Sequence, residues 1–534
     1  MDKPKYFYPW IDGAKWPVRI CLLLILVCAL MQFGSFALTQ NYVVSSFGVQ
    51  PEDVTLSLQI TYAAIVPFIS IQSRLFQYFE TRSYLLTGII SSIVINILML
   101  HAKDIVIFTI LRFLNGISLS LMTGPMLMLI LTRIDPEKVQ VIGMSILYGS
   151  ILGNGVVIGF NAALIDTTLD WTAIYYFLIA FLFLCLLITL LLLRPCSGRP
   201  SQPLVHLDWP GAIFLAASLA ALSYTMIYGP KHYWFSDVRI TSAAFAAAVF
   251  FLIFIFRELK AKIPIVNLSV FKYRTFVAGL LLLALYYGLK DSINLVYSYT
   301  TTILQWSGVR EMELGFFNLA GLLSFMWLSA QMMLTKQHSF RRFLVAGFGL
   351  LLIFHVYIYL VLTPDLAFED LILPMFLQGA ASGILFVPVV IFILTSVPAS
   401  TTTTGIAVSA FMRFMATLNS FVGLYTLQLK YNQLYKEAFL KYLTPNDPVF
   451  VDRLNDGVQF FSPRSVTPEQ GSALAMSGIV RSLGAQQQLL TTRTVFLLYA
   501  VIILVIIFLI LFITSAYKTN IYIRNMALFA RNHK

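Results

Sequence analysis

Four charged residues fall inside long apolar runs of this sequence: Arg112, Lys290, Asp291 and Arg413. A charge at mid-bilayer depth costs about 2.5–3.5 kcal/mol on insertion scales, so each needs a reason to be there. Asp291 is the one carboxylate expected well inside a run, because Glu311 and Glu313 fall at the mouth of the next one. Burial raises a carboxylate's pKa and a nearby cation lowers it, so a cavity that changes shape can load and unload a proton there. Asp291 is therefore the expected proton carrier, with a purely structural ion pair as the competing role. On a helix, Lys290 shares a face with Tyr286, Asn294 and Tyr297, and Asp291 shares one with Tyr287, Asn294 and Ser298. Sequence neighbours do not face each other on a helix, so each charge is expected to find its own partner. At 1.5 Å per residue, Asp291 lies roughly 22 Å and Arg112 roughly 20 Å from the same membrane surface, which makes a switchable Arg112–Asp291 contact possible. Anchoring on backbone carbonyls is the other role open to Arg112. Gln378, Asn318 and Gln331 are expected cavity groups, Arg413 is expected to be structural, and His355, among aromatic neighbours, a satisfied histidine. Three positive charges against one negative lean toward anionic or zwitterionic ligands.

These residues must be carried by membrane helices. The 534 residues are 59% hydrophobic and 11% charged, against about 25% charged in a soluble protein. Lipid must cover what polar side chains cannot. Runs near the 20 residues needed to cross a bilayer are expected at 17–41, 54–73, 83–101, 105–131, 139–164, 171–194, 210–228, 239–257, 276–303, 312–334, 342–363, 370–396, 405–428 and 494–517. About fourteen crossings put both termini on one side. Lys and Arg crowd that side, through Lys3, Lys5, Arg82, Arg133, Arg194, Arg257, Lys272, Arg341 and Lys518 among others, which makes it cytoplasmic. The one long loop, about 429–493, then falls outside, as a capping element or a partner-docking one.

The net charge of +12 is explained by that loop bias rather than by nucleic acid. Cys21, Cys28, Cys185 and Cys196 suggest neither disulfides nor zinc spacing. No metal or cofactor is expected. The six histidines are scattered, which argues against a membrane-embedded enzyme. The first apolar run is too long for a signal-peptide core and is taken as a retained helix.

A repeat is visible. Phe113-Leu114-Asn115-Gly116 precedes Pro125 as Phe376-Leu377-Gln378-Gly379 precedes Pro388, and Arg82 precedes Gly88 as Arg341 precedes Gly347. The offsets are 263 and 259, as in a chain of two parallel halves. By this offset the Asp291 region corresponds to that of Gln32.

Leu207-Asp208-Trp209-Pro210-Gly211, the run from Arg257-Glu258 through Pro264-Ile265-Val266-Asn267-Leu268 to Arg274-Thr275-Phe276, and Ile479-Val480-Arg481 resemble the 14-helix drug/proton antiporters of the EmrB/QacA type, a branch of the major facilitators. The likeness covers nearly the whole chain. It implies an all-α polytopic fold of two six-helix bundles plus two extra helices, with 1–200 as the first bundle, 201–272 the extra pair and linker, and 273–534 the second bundle. It also implies a secondary transporter, not an enzyme, in the bacterial inner membrane, exporting amphipathic small molecules against protons by alternating access. A periplasmic adaptor and an outer-membrane channel are candidate partners. The alternative is a dedicated carrier of an anionic metabolite or lipid, coupled to protons or not.

The family motifs are partly worn. Arg82 keeps its place in the gating loop after the second span, while Gln77 replaces the usual aspartate and Glu80 a glycine. Arg112, Gly116, Gly124 and Pro125 keep the fourth-span motif, in which Arg112 has a proposed part in proton transfer. Gly155 and Gly159 keep part of the antiporter motif, with Val156 at the usual proline. The first-span acid is absent, and Gln32 lies near its place.

Overall fold

The computed structural model describes residues 6–13, 15–37, 39–134, 138–168, 170–195, 208–261, 264–335, 338–398, 401–461, 467–512 and 520–521. The helices are α1 (Pro9–Asp12), α2 (Lys15–Met31), α3 (Gln40–Phe47), α4 (Pro51–Tyr78), α5 (Thr81–Leu100), α6 (Ile105–Leu131), α7 (Val139–Leu152), α8 (Asn154–Thr168), α9 (Ala173–Leu192), α10 (Trp209–Tyr228) and α11 (Val238–Lys260). They continue as α12 (Arg274–Lys290), α13 (Ile293–Thr302), α14 (Gly308–Thr335), α15 (Phe340–Val361), α16 (Phe368–Thr395), α17 (Thr402–Leu440), α18 (Pro448–Phe461) and α19 (Pro468–Phe512). A two-residue antiparallel pairing, His338 with Ile521 and Ser339 with Asn520, is the one sheet among the described residues.

Among the described residues, thirteen segments are long and apolar enough to cross a membrane, with α7–α8 and α12–α13 each counted as one; Trp16–Met31 is a shorter apolar helix. In lipid only a helix satisfies its own backbone, so apolar runs of this length take no other form. Their starts are written in the sequence. Asp104 accepts from the amides of Val106 and Ile107 at α6, and Asp208 from that of Gly211 at α10, each satisfying donors the helix cannot.

Two expectations need correction. The first span is not one helix over 17–41: α2 stops at Met31, and the chain turns before α3 begins at Gln40. The segment 429–493 is not mainly loop. It comprises the end of α17, all of α18 and the start of α19, and α18 packs against α19. Its apolar spacing is that of helices running on past the span.

Glycine explains the repeated motif. A Cβ on Gly116 would lie 2.3 Å from the Thr61 carbonyl oxygen, and one on Gly379 would lie 1.9 Å from that of Asn318. Both positions let two helices touch backbone to backbone, α4 on α6 and α14 on α16. α10 and α11 pack on each other, and α10 also lies on α4. Arg257 bonds to Asp208 at 2.6 Å and ties the bases of that pair together. Between the first and last helices a seam runs where α7 and α8 meet α14, α7 meets α16, and α4 meets α17.

Candidate functional site

The break after α2 leaves carbonyls that no helix satisfies, and the neighbouring helices supply donors. Arg112 Nη1 donates to Gln32 O at 2.9 Å and its Nη2 to Phe33 O. Asn154 Nδ2 donates to Leu30 O and Asn161 Nδ2 to Ser35 O, each at 3.1 Å. Asn96 Nδ2 donates to Gln32 Oε1 at 3.0 Å. An unsatisfied carbonyl in hydrocarbon costs several kcal/mol, so Arg112, Asn154 and Asn161 make the break tolerable, while Asn96 holds the Gln32 side chain. The expected Arg112–Asp291 contact is absent. Arg112 is fully buried on backbone carbonyls, with its guanidinium 5.2 Å from the Phe36 ring.

The same construction recurs 259 residues later. α12 stops at Lys290, Asp291 and Ser292 turn, and α13 starts at Ile293. The last carbonyls of α12 are satisfied by Ser420 on Gly288 at 3.2 Å, Ser292 on Leu289 at 2.8 Å and Gln378 on Lys290 at 3.2 Å. Asn318 fixes Gln378 through its Oε1. His355, buried, lies 2.9 Å from Ser292 Oγ through Nε2 and 2.7 Å from Leu351 O through Nδ1, a satisfied histidine as expected.

Because the helix ends there, Lys290 and Asp291 are not held apart as the helical spacing predicts. Lys290 Nζ pairs with Asp291 Oδ1 itself and lies 4.7 Å from the Tyr287 ring. Asp291 Oδ2 is buried without a hydrogen-bond partner. The carboxylate stands between the C-terminus of α12, which repels it, and the N-terminus of α13, which attracts it. Its ionised form therefore rests on one cation and one helix end. Of the expected lining residues, Tyr286 and Tyr287 are buried beside it, while Asn294 is half-buried.

Aromatic side chains from both sets of helices close the seam over this break. Tyr148 meets Phe386 with ring centroids 4.4 Å apart, Tyr62 meets Phe414 at 5.4 Å, and Phe33 meets Tyr62 at 5.4 Å. Tyr286 and Tyr287 complete the cluster against Phe386. Arg413 lies within it, 5.2 Å over the Tyr148 ring and beside the Tyr287 hydroxyl. It forms no ion pair among the described residues, and its Nε is buried without a partner. A desolvated cation–π contact contributes about 2 kcal/mol, whereas taking a cation out of water costs several.

The worn motifs divide. A Cβ on Gly159 would lie 2.8 Å from Met312 Cα, whereas one on Gly155 would meet nothing within 4 Å. Gly159 therefore sets how closely α8 and α14 approach. Arg82 Nη1 donates to the Tyr8 hydroxyl at 3.2 Å, which ties α5 to the N-terminal segment. The side chain of Gln77 and residues 196–207, which include Cys196, lie outside the described residues.

Glu311 was placed at a helix mouth by sequence and proves to be 1% exposed. Its Oε1 accepts from Thr300 Oγ1, and its Oε2 is buried without a partner. It is thus a buried carboxylate, as Asp291, Asp208 and Glu258 are, and it lies one residue before the Met312 that meets Gly159. Sequence reasoning also passed over Asn96, Asn154 and Asn161. Their signal was an amide inside an apolar run, which in lipid implies a polar partner. Tyr62 and Tyr148 carried no distinguishing signal among so many aromatics.

Residues 20–418 match the family described as Major Facilitator Superfamily. Multidrug resistance protein 3 of Bacillus subtilis is 27% identical over 236 residues, which are 44% of this chain and 44% of that protein. Multidrug export protein EmrB of Haemophilus influenzae is 25% identical over 267 residues, 47% of this chain and 50% of that protein. Fatty acid resistance protein FarB of Neisseria gonorrhoeae is 25% identical over 246 residues, 45% of this chain and 46% of that protein. The chain thus spans about half the length of the curated relatives it matches. Among solved structures, a POT family transporter in complex with a thioalcohol-conjugated peptide superposes with a TM-score of 0.58 at 14% identity, covering 92% of this chain and 96% of the other. A bacterial homolog of the human lysosomal transporter Spinster gives 0.54 at 14% identity, covering 95% and 98%. At such identity the two structures speak to the fold alone.

Proposed function

The chain belongs to the major facilitator superfamily, and from that premise we propose that it is a secondary transporter that expels amphipathic small molecules in exchange for protons. The observation that carries the proposal is Asp291, a buried carboxylate at a helix break with one oxygen on Lys290 and the other unpartnered. A proton taken up on Oδ2 cancels the attraction for Lys290. The break between α12 and α13 is then free to reseat, and the rings of Tyr148 and Tyr62 can part from Phe386 and Phe414. Alternating access is the rocking of the two helical sets about that seam. Tyr286, Tyr287, Lys290 and Gln378 line the C-terminal wall of the cavity that opens, with Asn294 and Gln32 at its rim. Arg112 serves by holding the first break in shape, and Gly116 and Gly159 by allowing close contact. Two multidrug proteins among the relatives support the cargo class.

The segments 1–200, 201–272 and 273–534 are the first bundle, the extra pair and the second bundle of this carrier. The bacterial relatives support an inner-membrane location, and the Lys/Arg asymmetry supports cytoplasmic termini. In that orientation the end of α17, α18 and the start of α19 stand in the periplasm, where a periplasmic adaptor leading to an outer-membrane channel would meet them.

The test is transport by the purified full chain in liposomes. An imposed pH gradient should drive accumulation of a fluorescent amphipath, and a protonophore should abolish it. Equilibration without accumulation, under gradients of either polarity, would favour the alternative, an uncoupled carrier of an anionic metabolite or lipid.

A further inference from the structure

We infer that Arg413 is the recognition point for an anionic head group, so that the preferred cargo is an oxyanion, a carboxylate above all, carried on an apolar body. The inference rests on the carrier reading and names its substrate class.

Lys290, near the seam, already has a carboxylate, its neighbour Asp291. Arg413 has none among the described residues, although it is only 8% exposed, and its Nε has no partner. Its surroundings are rings: Tyr148 below the guanidinium, with Tyr62 and Tyr287 near it. One hydrogen bond to the Tyr287 hydroxyl and these π-faces offset only part of the lost hydration. A charge buried at membrane depth marks a functional site by default, and an anion arriving with the cargo would supply the partner that Arg413 lacks.

The guanidinium offers a planar fork that a carboxylate fits through two parallel hydrogen bonds. Two of these rings, Tyr148 on α7 and Tyr62 on α4, come from the N-terminal helices, whereas Arg413 and Tyr287 come from the C-terminal ones. Parting of the two sets therefore uncovers the cation and leaves rings on both sides for an apolar body. Asp291 is not bonded to Arg413: one of its oxygens is on Lys290 and the other has no hydrogen-bond partner.

The experiment measures binding of three naphthalene ligands with one body and different heads to the full chain in nanodiscs. The heads are naphthylacetate, naphthylacetamide and a naphthyl trimethylammonium. The wild-type protein should bind the acetate at least tenfold more tightly than the other two. Arg413→Gln should weaken the acetate tenfold or more while leaving the amide within twofold, and Arg413→Lys should keep part of the preference. Equal binding of all three by the wild type, or tighter binding of the ammonium, would overturn the inference even if Arg413→Gln failed to fold. So would an undiminished acetate preference in folded Arg413→Gln. If the ranking holds while proton-driven transport fails, the anion site stands and the coupled-export reading falls; if transport holds and the ranking is flat, the anion site falls alone.

Discussion

Gln32 and Asp291 stand 259 residues apart, and each is the first residue after a membrane helix has stopped, α2 at Met31 and α12 at Lys290. Each break is served from the helix two spans on: Asn96 bonds Gln32, and His355, also 259 residues later, lies against Ser292. One construction is thus used twice, with an amide at the first break and a carboxylate at the second. The difference between the copies is what makes only one of them able to carry a proton.

The first break predicts a structural arginine. Arg112→Leu removes both donors from Gln32 O and Phe33 O. It should lower unfolding stability by about 2–4 kcal/mol, the cost of stranding buried acceptors. Arg112→Lys should recover less than half, because an ammonium lacks the fork that spans two carbonyls. Thermal unfolding in detergent reads this directly; an Arg112→Leu protein as stable as wild type would contradict it.

At the second break the charges depend on each other. Lys290→Met leaves Asp291 buried without its cation and should cost about 3–5 kcal/mol. Adding Asp291→Asn should restore most of that loss. A double variant no better than the single one would show that Lys290 holds the fold by some route other than Asp291.

The two worn-motif glycines should separate cleanly. Gly155→Ala, with open space around its Cβ, should leave stability within about 0.5 kcal/mol of wild type and transport unchanged. Gly159→Leu would drive a side chain into Met312 and should cut turnover at least tenfold while the protein still folds. Equal effects at both sites would remove the argument that Gly159 sets the approach of α8 to α14.

Glu311 predicts the opposite of a stabilising charge. Glu311→Gln keeps the oxygen that accepts from Thr300 and removes the cost of a buried carboxylate with one hydrogen bond. The variant should melt at or above the wild-type temperature, and a marked drop would reveal a partner for its second oxygen.

Much of the fold was legible because hydrocarbon allows so few alternatives. The run 105–131 is a helix over those same residues, since a capping Asp104, an apolar stretch and a polar end all agree. The repeated Phe-Leu-Asn/Gln-Gly motif was legible as a repeat, although its reason, backbone contact at Gly116 and Gly379, needed three dimensions. The breaks were not legible, because each lies within a run long enough for one unbroken span, and what decides them is the donors on other helices. That is also why Lys290 and Asp291 were expected to face apart. Asp291 itself was legible from its isolation, whereas Glu311 was not, because a helix start in sequence does not reveal whether neighbours cover it.

The central claim is that Asp291 carries the proton, and Asp291→Asn in liposomes tests it most directly. The amide matches the protonated carboxyl in size and cannot ionise. The account predicts a folded protein that binds cargo and exchanges it across the membrane at a rate near wild type, yet cannot concentrate it when a pH gradient is imposed. An Asp291→Asn protein that still drives cargo uphill on a pH gradient would contradict the account, and the coupling would have to reside elsewhere.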